Sequence, residues 1–134
     1  MREMSEANVE AVRRQYELVD RTGELLAEIY DPGAEWMAAR EDPDADTHRG
    51  RDAIQAYITK WVGAFEDVEL RAAEIVDAGD KVFAWIHFSG RGAASGVPVE
   101  LKQAQVWSFS GEQVVRVEEY FDRAEGLAAA GLAQ

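Results

Sequence analysis

Apolar residues recur every three to four positions in the first half of the chain and every second position from Val68 onward, so a helical rhythm gives way to a strand rhythm. Val9, Val12, Tyr16 and Val19 form the first stripe behind Ser5, a favourable N-cap, with Met4 and Val9 placed to pack across that cap. The spacing predicts a helix to about Asp20. Leu25, Leu26 and Ile29 predict a short second helix, ended by Asp31–Pro32–Gly33 because proline disfavours helical backbone in the residue before it. A brief strand over 34–38 and a polar, turn-rich loop over 40–50 lead into a third, amphipathic helix carried by Ile54, Tyr57, Ile58, Trp61 and Phe65. Strands are predicted near 68–77, 81–91, 98–109 and 114–121, as an antiparallel meander punctuated by glycine-containing turns. Asp122 with Glu125 opens a short last helix, which Gly126 weakens.

Helices followed by an antiparallel sheet define an α+β domain in which helices cover one sheet face. In the strand over 81–91, Val82, Ala84, Ile86 and Phe88 share one side while Phe83, Trp85 and His87 share the other, so both faces are apolar. The helices are expected on one. The other, carrying Phe83, Trp85 and Val106, is expected to be a self-complementary homodimer interface. Val68 and Leu70 disagree in parity with Ile75, which leaves the facing of that strand open; a one-residue bulge anywhere would reverse the facing beyond it.

Length and composition narrow the class. A chain of 134 residues with 47% hydrophobic content suits one domain over 1–134 with a single core. The net charge of -12 argues against nucleic acid and anionic membrane as partners, since both need clustered Lys or Arg. The absence of cysteine removes disulfides, thiol nucleophiles and thiolate metal sites. The N-terminus has no apolar signal core and no apolar run approaches a membrane span, so a soluble, cytoplasmic protein is expected.

The candidate chemistry lies on the last two strands. Alternation places Glu119 among Val115, Val117 and Phe121 on an apolar face, where a carboxyl must be hydrogen-bonded, paired or protonated. Gln103 and Gln105 interrupt the apolar side of the preceding strand, between Leu101, Trp107 and Phe109. With Tyr16 and Trp36 they would make an apolar cavity holding a few polar groups, the usual anatomy of a small-molecule site. The alternative is that Glu119 lies at the sheet rim or pairs with an arginine while the glutamines bond each other. His48 and His87 have no zinc-like spacing around them, and Asp42, Asp44 and Asp46 only imitate the start of a calcium loop, so they read as a solvated acidic loop and no metal site is expected. Gly90, Gly92 and Gly96 belong to a hairpin and cradle no phosphate.

The element order, together with RGRDAI at 49–54, DAGDKV at 77–82 and VVRVEEYFDRAEGL at 114–127, resembles the SnoaL-like branch of the nuclear transport factor 2 superfamily over nearly the whole chain. The resemblance implies a conical α+β barrel, its curved antiparallel sheet wrapped around three N-terminal helices and a deep pocket, often dimeric through the outer sheet face. It does not select an activity, because the superfamily holds cyclases, isomerases, dehydratases, epoxide hydrolases and proteins without catalysis. Tyr16 is similar in context to the oxyanion tyrosine of ketosteroid isomerase, but Ala38 stands where that family has its base and Gln105 where it has a protonated aspartate. VEEYFD at 117–122 is similar to the motif of limonene epoxide hydrolase that carries its water-activating aspartate, which maps onto Glu119; Ala84 and Ile86 replace the accompanying arginine and aspartate. His48 is the counterpart nearest to the pocket histidines of scytalone dehydratase. A SnoaL-like cyclase, needing one acid/base carboxyl in an apolar pocket, is least contradicted.

These readings combine into one expectation: a cofactor-free pocket protein acting on a small hydrophobic carbonyl or epoxide compound as an isomerase, cyclase or hydrolase. Glu119 would transfer the proton, with Tyr16 and Gln105 orienting or polarising a substrate oxygen. Trp36, Ala38, His48, Trp61, Ile86, Phe88, Gln103, Trp107, Val117 and Phe121 would line the site. Its rivals are a non-catalytic binding or dimerisation module with Glu119 held by an arginine, and a monomeric protein-binding adaptor exposing Phe83 and Trp85.

Overall fold

The strand rhythm takes hold at Phe65; before it, helices that cover one side of the sheet alternate with two short strands that extend its edge. The computed structural model describes residues 2–42 and 45–132, with side chains from Ser5 onward. Helix α1 spans Arg2–Thr22, β1 Tyr30–Met37, β2 Thr47–Arg49, α2 Arg51–Gly63, β3 Phe65–Ala78, β4 Lys81–Gly92, β5 Pro98–Ser110, β6 Gln113–Tyr120 and α3 Arg123–Ala129. The expected contact between Met4 and Val9, and the position of Asp44, fall outside the described residues.

Two helical expectations are corrected. Because α1 already begins at Arg2, Ser5 lies inside the helix and donates its hydroxyl to the Gly79 carbonyl (3.3 Å) instead of capping. The second helix shrinks to a single 3-10 turn, Ala27–Ile29. Side-chain amides take over the backbone groups that a helix would have paired. Gln15 accepts from the Leu26 amide and donates to the Glu24 carbonyl, while Gln55 accepts from the Leu25 amide and donates to the Gly23 carbonyl. The loop over 40–50 likewise yields one more strand, β2, paired with β1 so that His48 lies opposite Trp36.

The six strands run in the order β2-β1-β6-β5-β4-β3, antiparallel except where β1 lies parallel to β6. The sheet is curved and unclosed, with α1 and α2 against its inner face. Val12, Tyr16, Ile54, Tyr57, Val82, Ala84, Trp107 and Val117 form the main core there. Bulges settle the conflicting parities. In β3 the register shifts between Ala72 and Glu74, so Leu70 and Ala72 pack against the core before the shift and Ile75 after it. In β6 the register shifts opposite Ser108 and Phe109, which puts Val114 in the core and leaves Val115 partly exposed, correcting the inward placement of Val115. The strand ends at Tyr120, so Phe121 also loses its inward parity.

The outer face carries a second, smaller cluster. Phe83, Ala104 and Val106 are fully buried beneath Leu127 and Ala130 of the α3 segment. One chain thus covers both faces in part, which corrects the premise that a second copy must cover Phe83 and Val106 and removes the adaptor's exposed Phe83. Asp122 caps α3 through the Ala124 amide (2.8 Å). Gly126 strengthens this docking instead of weakening the helix: a Cβ there would lie 2.4 Å from the Ala104 Cβ and 3.2 Å from the Phe83 ring. Gly126→Ala is therefore expected to destabilise the fold by about 1–3 kcal/mol through overpacking. Helix propensity alone would raise stability by about 1 kcal/mol, so the sign of the change in urea unfolding decides between the two effects.

Candidate functional site

Between α1, α2 and the inner sheet face lies a cavity of about 90 Å³, room for a handful of waters or a small organic molecule. Helix α1 contributes Gln15, Tyr16 and Val19, and α2 contributes Tyr57, Ile58, Trp61 and Val62. The sheet supplies Trp36, Leu70, Ile86, Phe88, Leu101, Gln103, Gln105, Trp107 and Glu119. Strand alternation explains this gathering: Gln103, Gln105 and Trp107 are successive inward positions of β5, and Glu119 lies opposite Gln105 on the neighbouring β6.

Glu119 is 7% exposed, and among the described residues its hydrogen-bond partners are all neutral. Its Oε2 accepts from Trp36 Nε1 (2.9 Å) and Gln105 Nε2 (3.0 Å), and its Oε1 from the Tyr57 hydroxyl (3.0 Å) and, at 3.4 Å, the Ala39 amide. Burial raises its pKa to about 7, against the lowering effect of the bonds from Trp36, Tyr57 and Ala39; the charge of Asp42 adds to the rise. Tyr57 also lies 2.9 Å from Asp42 Oδ2, which accepts from Trp61 Nε1 as well (3.0 Å). A single phenolic hydrogen thus stands between two carboxyl groups. Both contacts are fully satisfied only when one carboxyl is protonated and donates to the Tyr57 oxygen. Tyr57 and Tyr16 themselves stay neutral, since burial pushes both phenols far above their ordinary range.

A second chain of bonds has a fixed direction. Trp107 Nε1, a donor only, gives its hydrogen to the Tyr16 oxygen (2.8 Å), and Tyr16 gives its own to Gln105 Oε1 (2.7 Å). That orients the Gln105 amide, whose Nε2 donates to Gln103 Oε1 (2.9 Å) and to Glu119. The hydrogens of Tyr16 and Gln105 are therefore committed inside the protein, correcting the expectation that these two polarise a substrate oxygen. Both hold the carboxyl's surroundings in place.

Of the expected lining residues, Trp36, Trp61, Ile86, Phe88, Gln103 and Trp107 face the cavity. Four do not. Val117 is buried in the core beneath it, Phe121 lies past the strand end, and Ala38 packs against the core with its amide bonded to the Asp46 carbonyl. His48 stacks on the far side of Tyr57, with ring centres 4.3 Å apart, and supports that ring from outside. Asp42 is corrected as well: it is buried, not solvated, and joins the site through Tyr57. Tyr57 was visible in the apolar stripe of α2, but its hydroxyl's role was not. Among the described residues no group of three or more His, Asp or Glu is placed to hold a metal, and no helix is long and apolar enough to cross a membrane.

This architecture, an open curved sheet around a helix-capped cavity, recurs among solved structures. A nuclear transport factor 2-like protein from Burkholderia thailandensis is 24% identical, with 94% of this chain and 98% of that one covered and a TM-score of 0.76. A putative SnoaL-like polyketide cyclase from Jannaschia sp. is 17% identical over 96% and 94% of the two chains, with a TM-score of 0.73. A protein of ketosteroid isomerase-like fold from Catenulispora acidiphila, solved in complex with trimethylamine, is 19% identical over 92% and 94%, also with a TM-score of 0.73. At these identities the likeness establishes the fold, and function must be argued from the site. No protein of curated function matches the sequence. The SnoaL-like domain family matches residues 12–117, and the chain belongs to that family.

Proposed function

We propose that this SnoaL-like protein acts by cofactor-free proton transfer on a small, hydrophobic carbonyl or epoxide compound held in the inner cavity, with Glu119 as the acid/base. The supporting observation is a buried carboxyl on the cavity wall with four neutral donors and, among the described residues, no cationic partner. A pKa near 7 lets such a group take a proton from carbon or water and return it at neutral pH. Oε1 is the atom that takes it, because Oε2 holds two full-strength bonds whereas Oε1 has a long amide contact and a phenol shared with Asp42. The aromatic walls Trp36, Trp61 and Trp107 exclude water and select apolar ligands. The described likeness to a putative polyketide cyclase agrees with this reaction class.

The completeness of the donor shell around Glu119 favours a second reading, a ligand-binding module in which the carboxyl is structural. Exchange of the α-hydrogens of cyclohexanone in heavy water, followed by NMR beside ring opening of cyclohexene oxide, separates the two. The wild type is expected to accelerate one of these reactions at neutral pH while Glu119→Gln returns it to the buffer rate with binding retained. Binding without acceleration by the wild type would establish the module instead.

A further inference from the structure

The fixed direction of the Trp107–Tyr16–Gln105–Gln103 chain has an end, and the end faces the cavity. Gln103 is 8% exposed, its Oε1 takes a hydrogen from Gln105, and its Nε2 has no acceptor among the described residues. The amide cannot be turned round, because Gln105 would then present its own hydrogens to another NH2 group. Its two hydrogens therefore point where no protein atom answers them, on a wall shared with Glu119 and three tryptophans. The NH2 stays open to the cavity, where only the few waters the cavity holds can answer it, so a ligand that supplies an oxygen acceptor replaces those waters where an isosteric hydrocarbon cannot.

We infer that the Gln103 carboxamide is the oxygen-binding group of the cavity and selects neutral ligands carrying an acceptor oxygen, such as ketones, over hydrocarbons of the same shape. This rests on the pocket reading above and adds the group that fixes the ligand's orientation. Anionic ligands are disfavoured by Glu119 beside it and by the lack of a cation on this wall. The role differs from that of Tyr16 and Gln105, which hold Gln103 in one orientation without touching the ligand oxygen.

Cyclohexanone and methylenecyclohexane, equal in shape but differing in the acceptor, test the inference by NMR titration of the wild type and Gln103→Met. The side-chain amide resonances of Gln103, assigned by their loss in the variant, are expected to move downfield with the ketone and to remain in place with the hydrocarbon. Gln103→Met should weaken ketone binding about fivefold and leave hydrocarbon binding unchanged, the size of one ordinary hydrogen bond. Ketone binding that leaves the Gln103 amide unmoved overturns the inference while the pocket stands. If neither molecule binds, the pocket reading falls and the inference with it. Should the variant fail to fold, triple-resonance assignment of the wild-type Gln103 amide replaces it, and the wild-type shifts decide alone.

Discussion

Above pH 7, Glu119→Gln is expected to unfold about 3 kcal/mol less readily than the wild type, with the difference closing as the pH falls to 4.5. Burial, the largest cause, raises the folded-state pKa from the ordinary 4.5 to about 7, so the native protein binds this proton more tightly than the unfolded chain. The stability gained from that proton is fully present below 4.5, declines as the pH rises toward 7 and is absent above it; at about 1.4 kcal/mol per pH unit the loss is about 3 kcal/mol. The amide mimics the protonated acid, since its NH2 can donate to the Tyr57 oxygen while Tyr57 donates to Asp42. It has nothing to lose on the alkaline side. Urea midpoints of both proteins at pH 4.5, 6 and 8 read this directly, and parallel profiles would contradict the described burial of an unpaired carboxyl. The proposed acid/base is thus bought with stability at the pH where it works.

Trp107→Ala is the second large effect, a loss of about 3–5 kcal/mol in unfolding free energy. Trp107 is fully buried, meets Tyr16 and Trp36 edge to face with ring centres 5.7 and 5.6 Å apart, and lies under Tyr30. Truncation opens a cavity that three aromatic neighbours cannot fill and leaves the Tyr16 oxygen without its donor. Trp107→Phe should cost only about 1–2 kcal/mol, keeping most of the volume and losing the bond. A truncated variant within 1 kcal/mol of the wild type, measured by urea unfolding, would show that the rings around Trp107 can close in after all.

The order of elements, the meander and the inward placement of Gln103, Gln105, Trp107 and Glu119 were legible because alternation in β5 runs unbroken from Leu101 through Gln103 and Gln105 to Trp107 and β6 keeps its register beyond the bulge. Val115 misled because the bulge sits beside it, and a bulge leaves no mark on residue identity. Asp42 was illegible for another reason: its surroundings are made by Tyr57 and Trp61 from a helix later in the chain, so local sequence showed only acidic loop character. The same holds for α3, whose apolar residues are few but which packs closely where Gly126 meets Ala104. The direction of the hydrogen-bond chain follows from residue chemistry once the neighbours are known. Without the neighbours it had no starting point.

Three of the four tryptophans, Trp36, Trp61 and Trp107, wall the cavity, while Trp85 belongs to the opposite face of the sheet. The molecule consequently carries its own optical gauge. An occupant packs directly against all three indoles, of which Trp36 and Trp107 are already buried and Trp61 is partly exposed, and a carbonyl compound adds quenching of its own. Emission should dim as a carbonyl compound fills the cavity, with a blue shift arising from Trp61 alone, against a steady background from Trp85. Ligands can be sought by fluorescence on the unlabelled protein before any reaction is known.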